Sequence, residues 1–194
     1  MRKIFNRGIA FIFIISIPQR LYAQTESIVP GNIYSSHFTI DDRGRDISYY
    51  IPVNYAASNH SLILILADDN EPLQTVLKNY AEILHTKADS TSSIIMYPQA
   101  FNGQWHWVDS NYAMPVNDAG FISIMVDYFI QQHRCSPKQV YVIGLGAGGK
   151  MGCRLTCELN VSIAAAANIS TTNDAITCNC KKTVATLYID TKKT

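Results

Sequence analysis

Three short runs in this chain are apolar at almost every position: Ser61–Leu66, Ser93–Tyr97 and Gln139–Ile143. A strand wetted on one face alternates apolar and polar residues. A run without alternation is a strand covered on both faces, as in parallel sheets. Between these runs the apolar spacing turns helical. From Pro72 to about His85 it puts Leu73, Val76, Leu77, Tyr80, Ile83 and Leu84 on one side. From about Ala119 to His133 it does the same with Phe121, Ile124, Met125, Tyr128 and Phe129. A further helix is expected over Lys150–Leu159, and shorter strands at Ser162–Ala167 and Val184–Ile189. Strands alternating with helices predict an α/β fold, a mostly parallel sheet with helices on both faces. At the front, Tyr34–Ile40 and Arg45–Ile51 alternate around the turn Asp41-Asp42-Arg43-Gly44, which predicts an antiparallel hairpin.

The richest local signal is the glycine-dense turn between the third apolar run and its helix, Gly144-Leu145-Gly146-Ala147-Gly148-Gly149-Lys150. It overlaps three patterns. As G-x-G-x-x-G it would hold a pyrophosphate, but that pattern expects an acidic residue about twenty positions on. That region reads Ile163 to Asn168 (IAAAAN) and has no acid. As a phosphate loop it lacks the hydroxyl that holds magnesium, because Met151 follows Lys150. As a nucleophile elbow, G-x-S-x-G, its flanking glycines and its strand–turn–helix setting fit, with Gly146 where the serine belongs. The Ala147 N–H remains in position to face an oxyanion. No nucleotide or other cofactor is expected.

Arg2, Lys3 and Arg7, the apolar run Gly8–Ile17, Pro18 and Leu21-Tyr22-Ala23 read as a cleavable signal peptide over residues 1–23. The run is too short for a spanning helix. Residues 24–194 then form one domain, in a secreted or periplasmic setting. Lys plus Arg number 16 against 15 Asp plus Glu, and no basic cluster gives a case for nucleic acid. Five cysteines, Cys135, Cys153, Cys157, Cys178 and Cys180, crowd the C-terminal third. Export makes disulfides the default, with a bridge expected from the Cys153/Cys157 helix to the Cys178/Cys180 loop. Their spacings fit zinc motifs poorly, so no metal is expected.

Several segments, in order, resemble the polyhydroxybutyrate depolymerase and feruloyl esterase-like group of secreted α/β-hydrolases. They are Arg45–Pro52, Ile94–Pro98, the loop Trp105-His106-Trp107, Asn117–Ile122, Val140–Leu145 and Arg154–Glu158. The resemblance covers residues 37–191 and implies carboxylic ester hydrolysis by a serine triad. This sequence departs from the group at each catalytic element. The elbow serine is Gly146. Where the group has Leu-His-Gly, contributing to the oxyanion hole, this chain has Leu66-Ala67-Asp68, and a carboxylate there would repel a developing oxyanion. Where the group runs into His-Gly-Thr and its triad acid, this chain has Ile189-Asp190-Thr191-Lys192-Lys193. The group's catalytic histidine would fall beyond Thr194, so the hydrolase sheet is expected to be incomplete at its C-terminal side.

His37, His60, His85, His106 and His133 all precede the elbow, and the chain order Ser, acid, His leaves none of them as the triad base. The expected function is therefore that of a secreted, catalytically silent member of the group. It would bind a polyester or a feruloylated polysaccharide, with Trp105 and Trp107 as candidate binding residues. Two alternatives stand beside it. One is an active ester hydrolase using an off-elbow residue such as Ser136, Ser162, Ser170 or Cys153. The other is a truncated product whose last strand leaves an apolar edge for a protein partner to cover.

Overall fold

The computed structural model describes residues 28–55, 59–107, 116–159, 163–169 and 183–189. The expected signal peptide, Cys178 and Cys180 lie outside the described residues. Among the described residues, seven strands and three α-helices run in the order β1 (Ile33–Ile40), β2 (Arg43–Tyr50), β3 (His60–Leu66), α1 (Leu73–Thr91), β4 (Ser93–Pro98), α2 (Asp118–Gln132), β5 (Cys135–Leu145), α3 (Ala147–Glu158), β6 (Ile163–Ile169) and β7 (Ala185–Ile189). They form one sheet, β1-β2-β4-β3-β5-β6-β7. The β1–β2 and β2–β4 pairings are antiparallel and the other four are parallel.

The hairpin turn is tighter than the sequence suggests. Asp41 and Asp42 alone bridge the strands, both with positive φ (51° and 57°). Two left-handed residues match the right-handed twist of a hairpin, and aspartate tolerates that region. Helix α1 runs six residues past the expected stop, because Ser92, not His85, takes the left-handed C-cap conformation. Its buried stripe also shifts. Val76 and Ala88 are buried, whereas Tyr80 and Ile83 face solvent.

The uninterrupted apolar runs are explained by two cores. On one face, Leu62, Leu64, Leu66, Ile94, Met96, Val140 and Val142 pack with Phe121, Ile122, Met125 and Phe129 of α2 and with Met151 and Leu155 of α3. On the other, Ile65, Ile95 and Tyr97 pack with Val76 and Ala88 of α1. Strand residues alternate between the two, so Leu62–Leu66 of β3 and Ile94–Tyr97 of β4 need apolar side chains throughout.

The chain leaves β3 through α1 for β4 on one side, then returns through α2 to β5 on the other. The winding therefore reverses between β3 and β5. In an open α/β sheet, the crevice beyond the carboxyl ends of the strands at such a reversal is where ligands bind. The loops beyond β3 and β5 begin at Ala67 and Gly146.

Candidate functional site

Gly146 turns the chain from β5 into α3 with φ 53° and ψ −117°. That conformation is strained for any residue with a side chain. The turn is pinned on two sides. The Gly146 N–H donates to the Ile169 carbonyl of β6 (2.9 Å), and the Gly146 carbonyl accepts from the Gly149 N–H (3.0 Å). Behind it, Gly148 lies so close to the end of β3 that a Cβ there would stand 2.1 Å from the Leu66 carbonyl oxygen. The elbow is thus intact as a backbone object, and close helix–strand packing accounts for one of its glycines.

The space a side chain at 146 would use is taken. A Cβ built on Gly146 would lie 2.3 Å from the Asp68 carboxyl carbon and 2.3–2.4 Å from both its oxygens. Asp68 Oδ1 accepts a hydrogen bond from the Ala147 N–H (2.7 Å) and another from the Asp69 N–H (2.9 Å). The expected repulsion between Asp68 and an oxyanion therefore takes a more direct form. The carboxylate occupies the donor that an oxyanion would need. It also serves α3, whose N-cap glycine has no side chain to offer; an anion at a helix N-terminus satisfies an orphan N–H and complements the dipole. A phosphate on this turn would meet the same carboxylate. Lys150, which a phosphate loop would aim at its nucleotide, instead lies over the Trp107 ring, 4.6 Å from its centroid.

The loop bearing Asp68 is braced by the aromatic loop after β4. The Trp105 N–H donates to Asp69 Oδ1 (2.9 Å) and the Trp105 indole N–H to the Ala67 carbonyl (2.8 Å). Trp105, expected as a binding residue, braces this loop from within the fold. The residue is 4% exposed and its indole holds the loop, with an edge on the cleft. Trp107 packs against the main core and under Lys150. Beside Asp68 lies a cleft of about 380 Å³ lined by Asp68, Asn70, Glu71, Gln99, Asn102 and Trp105. Its volume falls within the range of small-ligand sites.

One histidine dismissed on chain order turns out to have an acid. His106 Nδ1 lies 3.1 Å from Oδ2 of Asp118, and the His106 backbone N–H donates to the same oxygen (2.8 Å). Asp118 is fully buried and its Oδ1 accepts from the Arg45 guanidinium (2.5 Å). Arg45 in turn lies over the Phe121 ring, 3.9 Å from its centroid. Asp118 opens α2, whose dipole also favours a negative charge at that end. The sequence signal was present in Arg45, His106 and Asp118, but their separation along the chain hid the contact.

The remaining candidates do not converge. Cys135 is buried on β5, and burial pushes its thiol up to about 12. Cys153 is a free thiol on α3, accepting from the Asn168 side-chain amide (3.1 Å). Cys157 is disulfide-bonded. Ser136 is part of β5 at its amino end, and Ser162 and Ser170 lie outside the described residues. On β7, Leu187, Tyr188 and Ile189 are exposed, which leaves the expected apolar edge open among the described residues.

No protein-family model matches the chain. It is 27% identical over 130 residues to a bifunctional acetylxylan esterase/xylanase of Neocallimastix patriciarum, covering 67% of this chain and 18% of that protein. An acetyl xylan esterase from Aspergillus awamori superposes with a TM-score of 0.59 at 19% identity, covering 72% of this chain and 52% of that one. A ferulic acid esterase superposes with a TM-score of 0.59 at 13% identity, over 74% and 61%. The fluorophosphonate-binding serine hydrolase F of Staphylococcus aureus gives 0.59 at 16%, over 73% and 58%. The fold is α/β-hydrolase-like, a mostly parallel sheet with helices. The chain spans a little over half the length of these solved structures and under a fifth of the curated protein.

Proposed function

We propose that this chain is an exported esterase-fold protein of the polyhydroxybutyrate depolymerase and feruloyl esterase-like group, that its covalent serine route is closed, and that it acts by binding an ester-bearing polymer. The observation that carries the reading is the Asp68 carboxylate. It stands in the volume of the missing serine side chain and on the Ala147 N–H. Loss of a nucleophile removes covalent catalysis. Loss of its donor as well removes the electrostatic support that would remain. The two changes fit each other sterically, since a serine at 146 and the observed Asp68 side chain would overlap.

What remains is a cleft beyond the carboxyl ends of β3 and β4, where the side chains of Asp68, Asn70, Glu71, Gln99 and Asn102 stand among alanine, proline and glycine residues and Trp105. Side-chain amides suit the hydroxyls and carbonyls of a feruloylated polysaccharide or a polyester. Export and a bridge from Cys157 to the Cys178/Cys180 loop belong to the same reading, as does a protein partner covering the β7 edge.

The test joins two measurements on the full chain. A fluorophosphonate probe read by intact mass is expected to leave no adduct. Co-sedimentation with feruloylated xylan or polyhydroxybutyrate granules is expected to deplete the protein from solution. A stoichiometric adduct would overturn the closed serine route, and no retention by either polymer would overturn the binding role.

A further inference from the structure

The free thiols Cys135 and Cys153 have opposite surroundings. Cys135 is buried on β5 and its thiol is pushed up by that burial. Cys153 is half-buried on α3, and two polar groups meet its sulfur. Asn168 Nδ2 donates to Sγ (3.1 Å), and Tyr188 Oη lies 3.4 Å from it. Asn168 on β6 and Tyr188 on β7 are register partners, so one sheet position brings both groups to the thiol.

Asn168 is fully buried, and its Oδ1 has no hydrogen-bond partner among the described residues. It lies against α3 where residue 152 is glycine; a Cβ there would stand 2.8 Å from that oxygen. A buried carboxamide costs free energy for each group left unmatched. The thiol matches only one of them. Its sulfur takes the N–H, and no bond runs from it to the oxygen. A sulfenic acid, S–O–H, would match both, because the sulfur can stay on Nδ2 while the new hydroxyl donates to Oδ1.

We propose that Cys153 is a modification site for hydrogen peroxide, and that Asn168 holds the sulfenic acid formed there. This goes beyond the polymer-binding reading and uses none of the cleft residues. The reacting form is the thiolate, and N–H and O–H groups facing the sulfur are the partners an anion on it would use. The sulfur lone pair attacks one peroxide oxygen as the O–O bond breaks. Sulfur gains that oxygen and gives up two electrons, and the peroxide is reduced. The departing hydroxide combines with the thiol proton and leaves as water. Partial exposure lets a small peroxide reach the sulfur, as in other oxidisable thiols.

The full chain, purified without reductant, tests this. It is treated with a small excess of hydrogen peroxide and dimedone at neutral pH, then read by intact mass and peptide mapping. One adduct is expected, on Cys153, with Cys135 unlabelled and Cys153→Ser carrying none. Asn168→Leu removes both amide groups at similar volume and is expected to slow labelling about tenfold, and Tyr188→Phe about threefold. Tyr188 is 45% exposed, so its variant keeps the comparison if Asn168→Leu does not fold. Without dimedone, peroxide is expected to raise the melting temperature of the wild type and not of Cys153→Ser, which reads the new bond to Oδ1. The inference is overturned if Cys153 takes no adduct, as it would if its sulfur were already bridged. It is overturned equally if Cys135 is labelled as fast, if the folded variants of Asn168 and Tyr188 react at the wild-type rate, or if peroxide leaves the wild-type melt unchanged.

Discussion

The two ends of the sheet treat their titratable groups in opposite ways. At the amino end, where β3 and β5 begin, His60, His133 and Cys135 are buried among aromatic rings. Tyr55 stacks on His60 (4.7 Å between centroids) and Phe129 on His133 (4.8 Å). Burial, and then the neighbouring His60, pushes the His133 imidazole down to about 4. At the carboxyl end, Asp68 is exposed and held by two backbone N–H groups, while buried Asp118 is held by Arg45 and His106. One end keeps His133 and Cys135 neutral by excluding water; the other supplies partners for charge. The carboxyl end thus keeps hydrogen-bonded carboxylates around a turn with glycine at 146, while the amino end packs His60, His133 and Cys135 into the core.

The largest expected break comes from Gly148→Ala. Its Cβ would press on the backbone carbonyls of Leu66 and Ala67, which cannot swing away, so about 3 kcal/mol or more of stability should go. Urea unfolding measures it, and a loss under about 1 kcal/mol would show that the β3–α3 approach is looser than described.

Acid should act next, and through the amino end. The folded His133 pKa lies below its unfolded value, so between pH 6.5 and about 4 the unfolded chain binds the extra proton. Stability present above that window should be lost as pH falls through it, by roughly 2–3 kcal/mol. His85, lowered chiefly by burial, adds in the same direction. His133→Phe should flatten this part of the pH dependence of the melting temperature, and an unchanged slope would reject burial as its source.

At the elbow, Gly146→Ser should destabilise the wild type by about 2 kcal/mol, through overlap with Asp68 and an unfavourable φ. In an Asp68→Gly background the added loss should be smaller by about 1 kcal/mol, a coupling that a double-mutant cycle reads directly. Additive losses would mean that the two positions do not share one volume. Asp68→Asn alone, which weakens the contact with the α3 N-terminus, should cost about 1 kcal/mol or less.

The smallest effect on stability is expected at the open edge. Leu187→Lys together with Ile189→Lys should change the folding free energy by less than about 0.5 kcal/mol per site, yet suppress concentration-dependent scattering. Unchanged scattering would place self-association elsewhere.

Much of the fold was legible in the chain. The apolar runs, the hairpin and the turn after β5 each depend on local pattern, and each formed within a few residues of expectation. The boundaries that moved were set by caps. Ser92 took a left-handed conformation that any of several residues near it could have adopted, and α1 lengthened accordingly. The site was legible only in its losses. Gly146 announced a missing hydroxyl, but nothing in the sequence said that Asp68 would fill the gap from 78 positions earlier, nor that Trp105 would turn inward to hold the Asp68 loop.

By itself, then, the sequence determined the α/β class, the doubly covered strands and the absence of a serine at the elbow, because each follows from side-chain period or residue identity. The tertiary structure decided which polar groups meet: Asp68 with Ala147, and His106 with Asp118 and Arg45. Asp68–Ala147 and Arg45–Asp118 join residues from distant elements, and His106 meets Asp118 across the connection between β4 and α2. Their partners are fixed by how strands β2, β3 and β5 and helices α2 and α3 are placed in one sheet, and a linear pattern does not carry that placement.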